Sequence, residues 1–471
     1  MASHPRFLPA SRLLLRTCGI LWFFFALTCS VPAQQRAPAA KQPAGPSTAE
    51  FTQAADEVLQ EMSQITGLSL RSPLKKTLRS REEIRAYVIQ QMDEDKNPAE
   101  RYADAKAGEA FGLIPKNFDL DSFMVELLTE QIAGLYDPKA HEFYIADWIP
   151  LDDQRMVMAH ELTHALQDQH FQINNWLKAA RPDDDAEMAR DSFLEGSATA
   201  AMVDYMLQGT GQSLNKLPEF DPSLLTGDLG DTPTLKKAPP FIKDSLTFPY
   251  FAGMRFTAAV LKPDGWPALA KVFRNPPATT QQILHPELYK SGHVPAKVSL
   301  PAIDSALGKD WRKLDDNDLG EFGLVEVLKQ FLGEQRAKPL AAAWEGDRYL
   351  LFENQQSKRF LLVTRLHLSS QEFAERFFGQ YSELLEKKHE QRSNLLRRPN
   401  FFSFDSSDGA VFLRCSELDC VTLEGGDRSL FAEINKQIGF GPMPEPDQKI
   451  GAAPTKTVQS QSPRAAYAST F

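Results

Sequence analysis

His160-Glu161-Leu162-Thr163-His164, within the run Met156-Val157-Met158-Ala159 through Asp168-Gln169-His170-Phe171, decides how the rest of the chain is read. Two histidines four apart on a helix stand one above the other on the same face. There two imidazoles can share one zinc ion, with the glutamate between them placed to activate a bound water. The surroundings carry a helical pattern. Pro150 and Asp152-Asp153 are start signals, and neither Gly nor Pro interrupts residues 154–175. At about 100° per residue, Met158, Leu162, Ala165 and Leu166 form an apolar side. Val157, His160, Glu161, His164, Asp168 and Phe171 gather opposite, so the helix has a core face and a site face.

A bare pair of histidines needs a third ligand. Glu195 supplies one in Phe193-Leu194-Glu195-Gly196-Ser197-Ala198, on a second helical row of Met188, Asp191, Glu195, Ala198, Met202 and Tyr205. A carboxylate on an apolar row is costly to bury unless it is paired or binds a metal. Gly196, Ser197 and Ala198 are small enough for this helix to approach the first one closely. The residues therefore predict one zinc ion on His160, His164 and Glu195, an open fourth position, and Glu161 as general base.

His-Glu-x-x-His followed by a glutamate on a later helix resembles the gluzincin branch of zinc metallopeptidases, the thermolysin-like arrangement. The longer string from Ala159 to Phe171, with Leu194-Glu195-Gly196-Ser197-Ala198, is similar to a group of secreted bacterial and archaeal proteins of predicted peptidase character. Phe248-Pro249-Tyr250 through Phe256 and Pro276-Pro277-Ala278 through Pro286 are similar to the same group, so the resemblance covers roughly residues 50–290. It implies a zincin-like catalytic domain with an edge strand just before the metal helix, which pairs with an extended substrate. The β-prone run from His141 to Asp147 is placed there, with His141 as a surface histidine. Thermolysin-like enzymes often carry an aspartate four residues after the ligand glutamate to orient a histidine. Here that residue is Thr199, which leaves Asp191 or Asp168 for the task. Tyr250 and His285 are the candidates to stabilise a developing oxyanion by donating a hydrogen bond.

The amino terminus reads as an export signal. Arg6, Arg12 and Arg16 precede an apolar core, Gly19 to Leu27, too short for a stable bilayer anchor, and Val31-Pro32-Ala33 supplies a cleavage site. Thr28 disfavours a lipoprotein site at Cys29. Removing residues 1–33 leaves 49 basic against 62 acidic residues and shifts the formal charge from −10 to −13. That balance argues against nucleic acid as a partner and suits an exported protein without a stable membrane anchor. Cys415 and Cys420 then remain as an even pair, and in an oxidising compartment they predict a disulfide across a hairpin.

The expected organisation is a signal peptide (1–33), a Pro/Ala-rich tether (34–49), a zincin-like domain (50–290), a linker (291–318), a smaller α+β accessory domain (319–440) and a Pro/Ser-rich tail (441–471). Residues 209–240 are loop-like and are expected to rim the cleft, and Asp183-Asp184-Asp185 reads as a solvated helix start rather than a calcium site. The fold class is α+β, mainly helical in the catalytic part. The function expected is zinc-dependent hydrolysis of protein or peptide substrates. Two other readings use the same residues: an exported binding or surface protein whose zinc only pins two helices, and an amidase acting on a non-peptide, cell-wall amide.

Overall fold

The computed structural model describes residues 47–216 and 232–444. The expected signal segment, nearly all of the tether, residues 445–471 of the tail and the middle of the 209–240 loop lie outside the described residues. The first half is mainly helical. Helix α1 (Thr48–Thr66) opens at Ser47, whose hydroxyl accepts the Glu50 N–H while the Glu50 carboxylate accepts the Ser47 N–H. Residues 47–49, expected as tether, thus already belong to a cap and first turn. Then follow β1 (Lys75–Arg79), α2 (Arg81–Asp95), α3 (Pro98–Phe111), α4 (Leu120–Gln131), β2 (Gly134–Asp137), β3 (Glu142–Ala146) and α5 (Leu151–Phe171). After α5 come α6 (Ile173–Lys178), α7 (Asp184–Met206), α8 (Pro233–Lys237), α9 (Pro240–Asp264), α10 (Leu269–Arg274), α11 (Thr280–Leu284) and α12 (Pro286–Ser291).

The small sheet has the order β1-β3-β2. The strand expected at the edge, β3, is central instead. It pairs parallel with β1 (Lys75 opposite Glu142) and antiparallel with β2 (Gly134 opposite Ile145). The strand at the edge, against α5, is β2. A distant segment covers the second edge of β3, and no local pattern announces such a pairing.

The second half contains β4 (Trp311–Asn317), α13 (Gly320–Leu332), α14 (Glu334–Ala341), β5 (Trp344–Asn354), β6 (Phe360–Leu368), α15 (Gln371–Lys388), β7 (Ser393–Arg398), β8 (Phe401–Ser406), β9 (Gly409–Ser416), β10 (Asp419–Gly426) and α16 (Arg428–Gln437). Its seven strands form one antiparallel sheet, ordered β4-β5-β6-β10-β9-β8-β7. Both faces are covered, and the residues alternate accordingly. Tyr349, Leu351, Leu362, Phe402 and Leu413 join the large core shared with the first half, whereas Leu350, Phe352, Leu361, Val363 and Phe412 pack with Phe431 and Ile434 of α16. Burial on two sides explains the unbroken apolar runs in β5 and β6. Strand β4 occupies most of the last third of the expected linker. It lacks apolar alternation because, of its buried residues, only Leu314 is apolar: Tyr349 donates to Asp315 at 2.5 Å, and Asn317 donates to the Pro182 carbonyl at 3.1 Å. Cys415 and Cys420 sit opposite each other on β9 and β10 and are joined as a disulfide.

The start of α7 is not solvated. Asp184 and Asp185 are buried. Asp183 caps the helix, the Asp184 N–H donates to Asn317 and the Asp185 N–H to Asp318. The Asp185 carboxylate accepts the N–H and hydroxyl of Thr280. Helix α7 is therefore tied at its origin to the segment that begins the large sheet. Among the described residues no helix is long and apolar enough to cross a membrane.

Glu424, buried on β10, binds α15 to the sheet by accepting from Lys388 and His389, each at 2.7 Å. Burial pushes its carboxyl up, but the charge of Lys388 and the hydrogen bond from His389 outweigh burial and hold it at about 2, below the ordinary 4.5. A carboxyl depressed in the folded state contributes fully above its unfolded pKa and loses that contribution as pH falls toward the folded one. Wild type is expected to lose its stability advantage over Glu424→Gln as pH falls from 4.5 to about 2, read from urea midpoints. A gap that does not change with pH would exclude this role.

Candidate metal centre

Helices α5 and α7 bring the predicted ligands together. His160, His164 and Glu195 are buried, and among the described residues they are the one group of three His, Cys, Asp or Glu side chains able to hold a metal ion. Their ligand atoms lie within 4.8 Å of one another. His160 Nε2 is 3.0 Å from both His164 Nε2 and Glu195 Oε2, and the imidazole planes meet nearly edge to face.

The second partner of His164 sets its chemistry. His164 Nδ1 lies 3.0 Å from Gln167 Oε1, and Gln167 Nε2 donates to Ser197 Oγ at 2.8 Å. With its amide nitrogen used on Ser197, Gln167 turns its oxygen toward the ring. Nδ1 must then carry the proton, which leaves the Nε2 lone pair for a metal. Of the two expected orienters, Asp168 is engaged with other partners. Asp168 takes Tyr136, His141 and the Ile173 N–H, and Asp191 lies one turn before Glu195 as a second buried acid. Gln167 was not foreseen. Its position three residues after His164 is the only trace in the sequence, since i and i+3 are neighbours on a helix.

Glu161 is fully buried between the histidines. Its Oε2 accepts the main-chain N–H of Tyr136 on the outer edge of β2 at 2.8 Å, and its Oε1 has no hydrogen-bond partner among the described residues. Tyr250, on α9, hydrogen-bonds the Glu195 carboxylate, and its ring stands 5.8 Å from that of His160. His285 is engaged elsewhere, with Nε2 2.9 Å from Glu321 Oε1. His141 is largely exposed, as expected of a surface histidine, but its Nδ1 lies 2.9 Å from Asp168.

Two glycines set the distance between α7 and α9. A Cβ on Gly196 would fall 1.9 Å from the Gly253 carbonyl carbon, and one on Gly253 would fall 1.7 Å from the Ser192 carbonyl oxygen. The backbones are in contact there. Gly196 was expected to face α5. It faces α9 instead, and its neighbour Ser197 meets α5 through Gln167. This crossing places Glu195 beside Tyr250.

Burial pushes His160 down to about 4 and His164 down to about 3, so both rings are neutral, the form that binds metals. The carboxyls move the other way. Burial, then the neighbouring Glu195, pushes Glu161 well up, and burial with Glu195 and Glu187 does the same to Asp191. Glu195 is raised by burial, with His160 and Tyr250 acting against it. Two neutral imidazoles and a carboxylate converging in a region crowded with buried acids are a donor set suited to a divalent cation.

Residues 310–433 match the family described as Domain of unknown function (DUF8575). That match runs from β4 into α16 and includes none of the residues of the metal centre. Neither a curated protein nor a solved structure matches the chain.

Two substitutions test this construction. Gly253→Ala is expected to lower the unfolding free energy by about 3 kcal/mol or more and to reduce bound metal, read by denaturant titration with metal analysis. Gln167→Leu is expected to keep the fold and weaken metal affinity about 10- to 100-fold, read by chelator competition.

Proposed function

We propose that the chain is an exported zinc-dependent metallopeptidase of the gluzincin, thermolysin-like type, acting on protein or peptide substrates. The observation that carries this reading is the setting of Glu161, buried between the histidines with one oxygen tied to Tyr136 N–H and the other without a partner among the described residues. A metal that only pins two helices has no need of such a carboxylate.

A zinc ion held by His160, His164 and Glu195 would supply a Lewis acid that polarises the scissile carbonyl and brings the pKa of water toward neutrality. The chain's own groups do the rest. Glu161 takes the proton of the attacking water and returns it to the leaving amine. The Tyr136 N–H favours the ionised base against burial and the charge of Glu195. Gln167 keeps His164 in the tautomer that binds. Tyr250, already at Glu195, is the oxyanion donor this reading keeps, and His285, held by Glu321, is not. The mainly helical half with its small sheet is then zincin-like, and the half carrying the large sheet is an accessory unit. The Cys415–Cys420 disulfide suits the oxidising compartment that the amino-terminal signal implies.

One observation favours a second reading, in which the metal pins α5 to α7 without turnover: His160, Glu161 and His164 are 0% exposed and Glu195 is 3% exposed. Metal analysis and cleavage of a quenched protein substrate, wild type against Glu161→Gln, separate the two. One zinc in both proteins with cleavage by wild type alone is the expected result. Zinc in both and cleavage by neither would move the assignment to a pinning metal or to an amidase. Full activity in Glu161→Gln would remove the general base.

A further inference from the structure

Tyr136 touches the helix of the metal centre at both of its ends. Its main-chain N–H donates to Glu161 Oε2 at 2.8 Å, and its hydroxyl donates to Asp168 Oδ2, also at 2.8 Å. Glu161 and Asp168 are seven residues apart on α5, two turns or about 10 Å along the axis. A residue fixed at two such points stops β2 from sliding along the helix or swinging away from it.

The far end of this bridge is itself held. Asp168 Oδ1 accepts the Ile173 N–H at 3.1 Å, and Oδ2 also lies 2.9 Å from His141 Nδ1. His141 stands at the end of the β2–β3 turn with φ +51°. The Asp168 side chain is 3% exposed and that of His141 68%, so the histidine closes the row toward solvent. Burial, with Asp168 beside it, pushes the Tyr136 phenol upward, so it stays protonated and a donor.

The Tyr136 N–H points away from the ladder. β2 pairs only with β3, and this N–H goes to Glu161 across the outer edge. Nothing inside the sheet aims it at the carboxylate, so the seating of β2 on α5 has to do so. The phenol is the part of Tyr136 that grips α5.

We infer that Tyr136 is a positioning residue for Glu161, with Asp168 and His141 as its anchor. The phenol sets the height of β2 on α5, the N–H there holds Glu161 Oε2, and Oε1 is left as the oxygen available for proton transfer. The catalytic consequence rests on the peptidase reading. The structural relay does not.

Tyr136→Phe keeps the ring and the N–H and removes only the hydroxyl. Asp168 keeps Ile173 and His141, so no buried charge is stranded. In the zinc-loaded full chain, kcat is expected to fall about 10- to 100-fold, the cost of a small misplacement of a reacting group. KM and zinc content are expected to stay at wild-type values, and the melting temperature is expected to fall modestly with the loss of one buried hydrogen bond. Amide hydrogen exchange at residue 136 is expected to speed up while Leu135, in the same strand, keeps its protection. A merely structural tyrosine would also lower the melting temperature but leave turnover per zinc-loaded molecule unchanged. Asp168→Ala, which keeps Tyr136 whole, should reproduce the exchange change and the kcat loss, and serves if Tyr136→Phe does not fold. Unchanged exchange at residue 136 in the folded variants overturns the relay. Faster exchange with wild-type kcat in an active enzyme overturns the positioning role. If wild type cleaves no peptide, the peptidase reading fails by itself and the exchange measurement alone decides the relay.

Discussion

Burying acidic side chains is the constraint on which this structure turns. Glu161, Asp191 and Glu195 lie in the interior with two imidazoles that burial keeps neutral. Carboxylates in such a place cost several kcal/mol each unless they are compensated. The chain offsets part of this locally: the Tyr136 N–H goes to Glu161 and the Tyr250 hydroxyl to Glu195. A divalent cation held by His160, His164 and Glu195 would offset the larger part. The backbone contact of α7 with α9, the Gln167 link from α5 to α7 and the pinned origin of α7 all hold acidic groups close to one another against their repulsion.

What the sequence disclosed follows the range of the interaction. The α5 pattern is local and strongly periodic, and it gave both histidines and Glu161. Glu195 was legible because it stands, with Asp191, on a helical row whose other members are apolar or aromatic. Cys415 and Cys420 were legible because a hairpin is local too. Gln167 was hidden among ordinary polar residues, because its role depends on Ser197 of another helix. The Tyr136 contact was hidden for a different reason. It is made by the main chain, which every residue has, so no side-chain pattern records it.

The fold was less legible where polar groups do the pairing. β4 carries Arg312, Lys313, Asp315 and Asp316 and reads as linker, yet Tyr349 and Pro182 supply partners that let its polar side chains be buried. β2, only four residues long and followed by Pro138, has too little pattern to be separated from a turn. Helix α3 opens on a full start signal in Asn97, Pro98 and Glu100, with Asn97 accepting from Ala99 and Glu100. The acids at Asp184 and Asp185 look like a solvated start in isolation. They are buried because Thr280, Asn317 and Asp318, all distant in sequence, meet them.

One hydrophobic cluster runs from Phe51 through the helices of the first half to Cys420 on the large sheet. Residues 310–433, although they match a family of their own, share this cluster with the first half: α13 and α15 lie on the inner face of their sheet, and Phe111 of α3 meets Tyr349 edge to face. Stability is held in common between the halves. A ligand that binds only the native form adds RT ln(1 + [L]/Kd) to the free energy of unfolding of whatever melts together. Occupancy between α5 and α7 is thus passed to strands more than a hundred residues away as resistance to unfolding, with no change of shape needed to carry it.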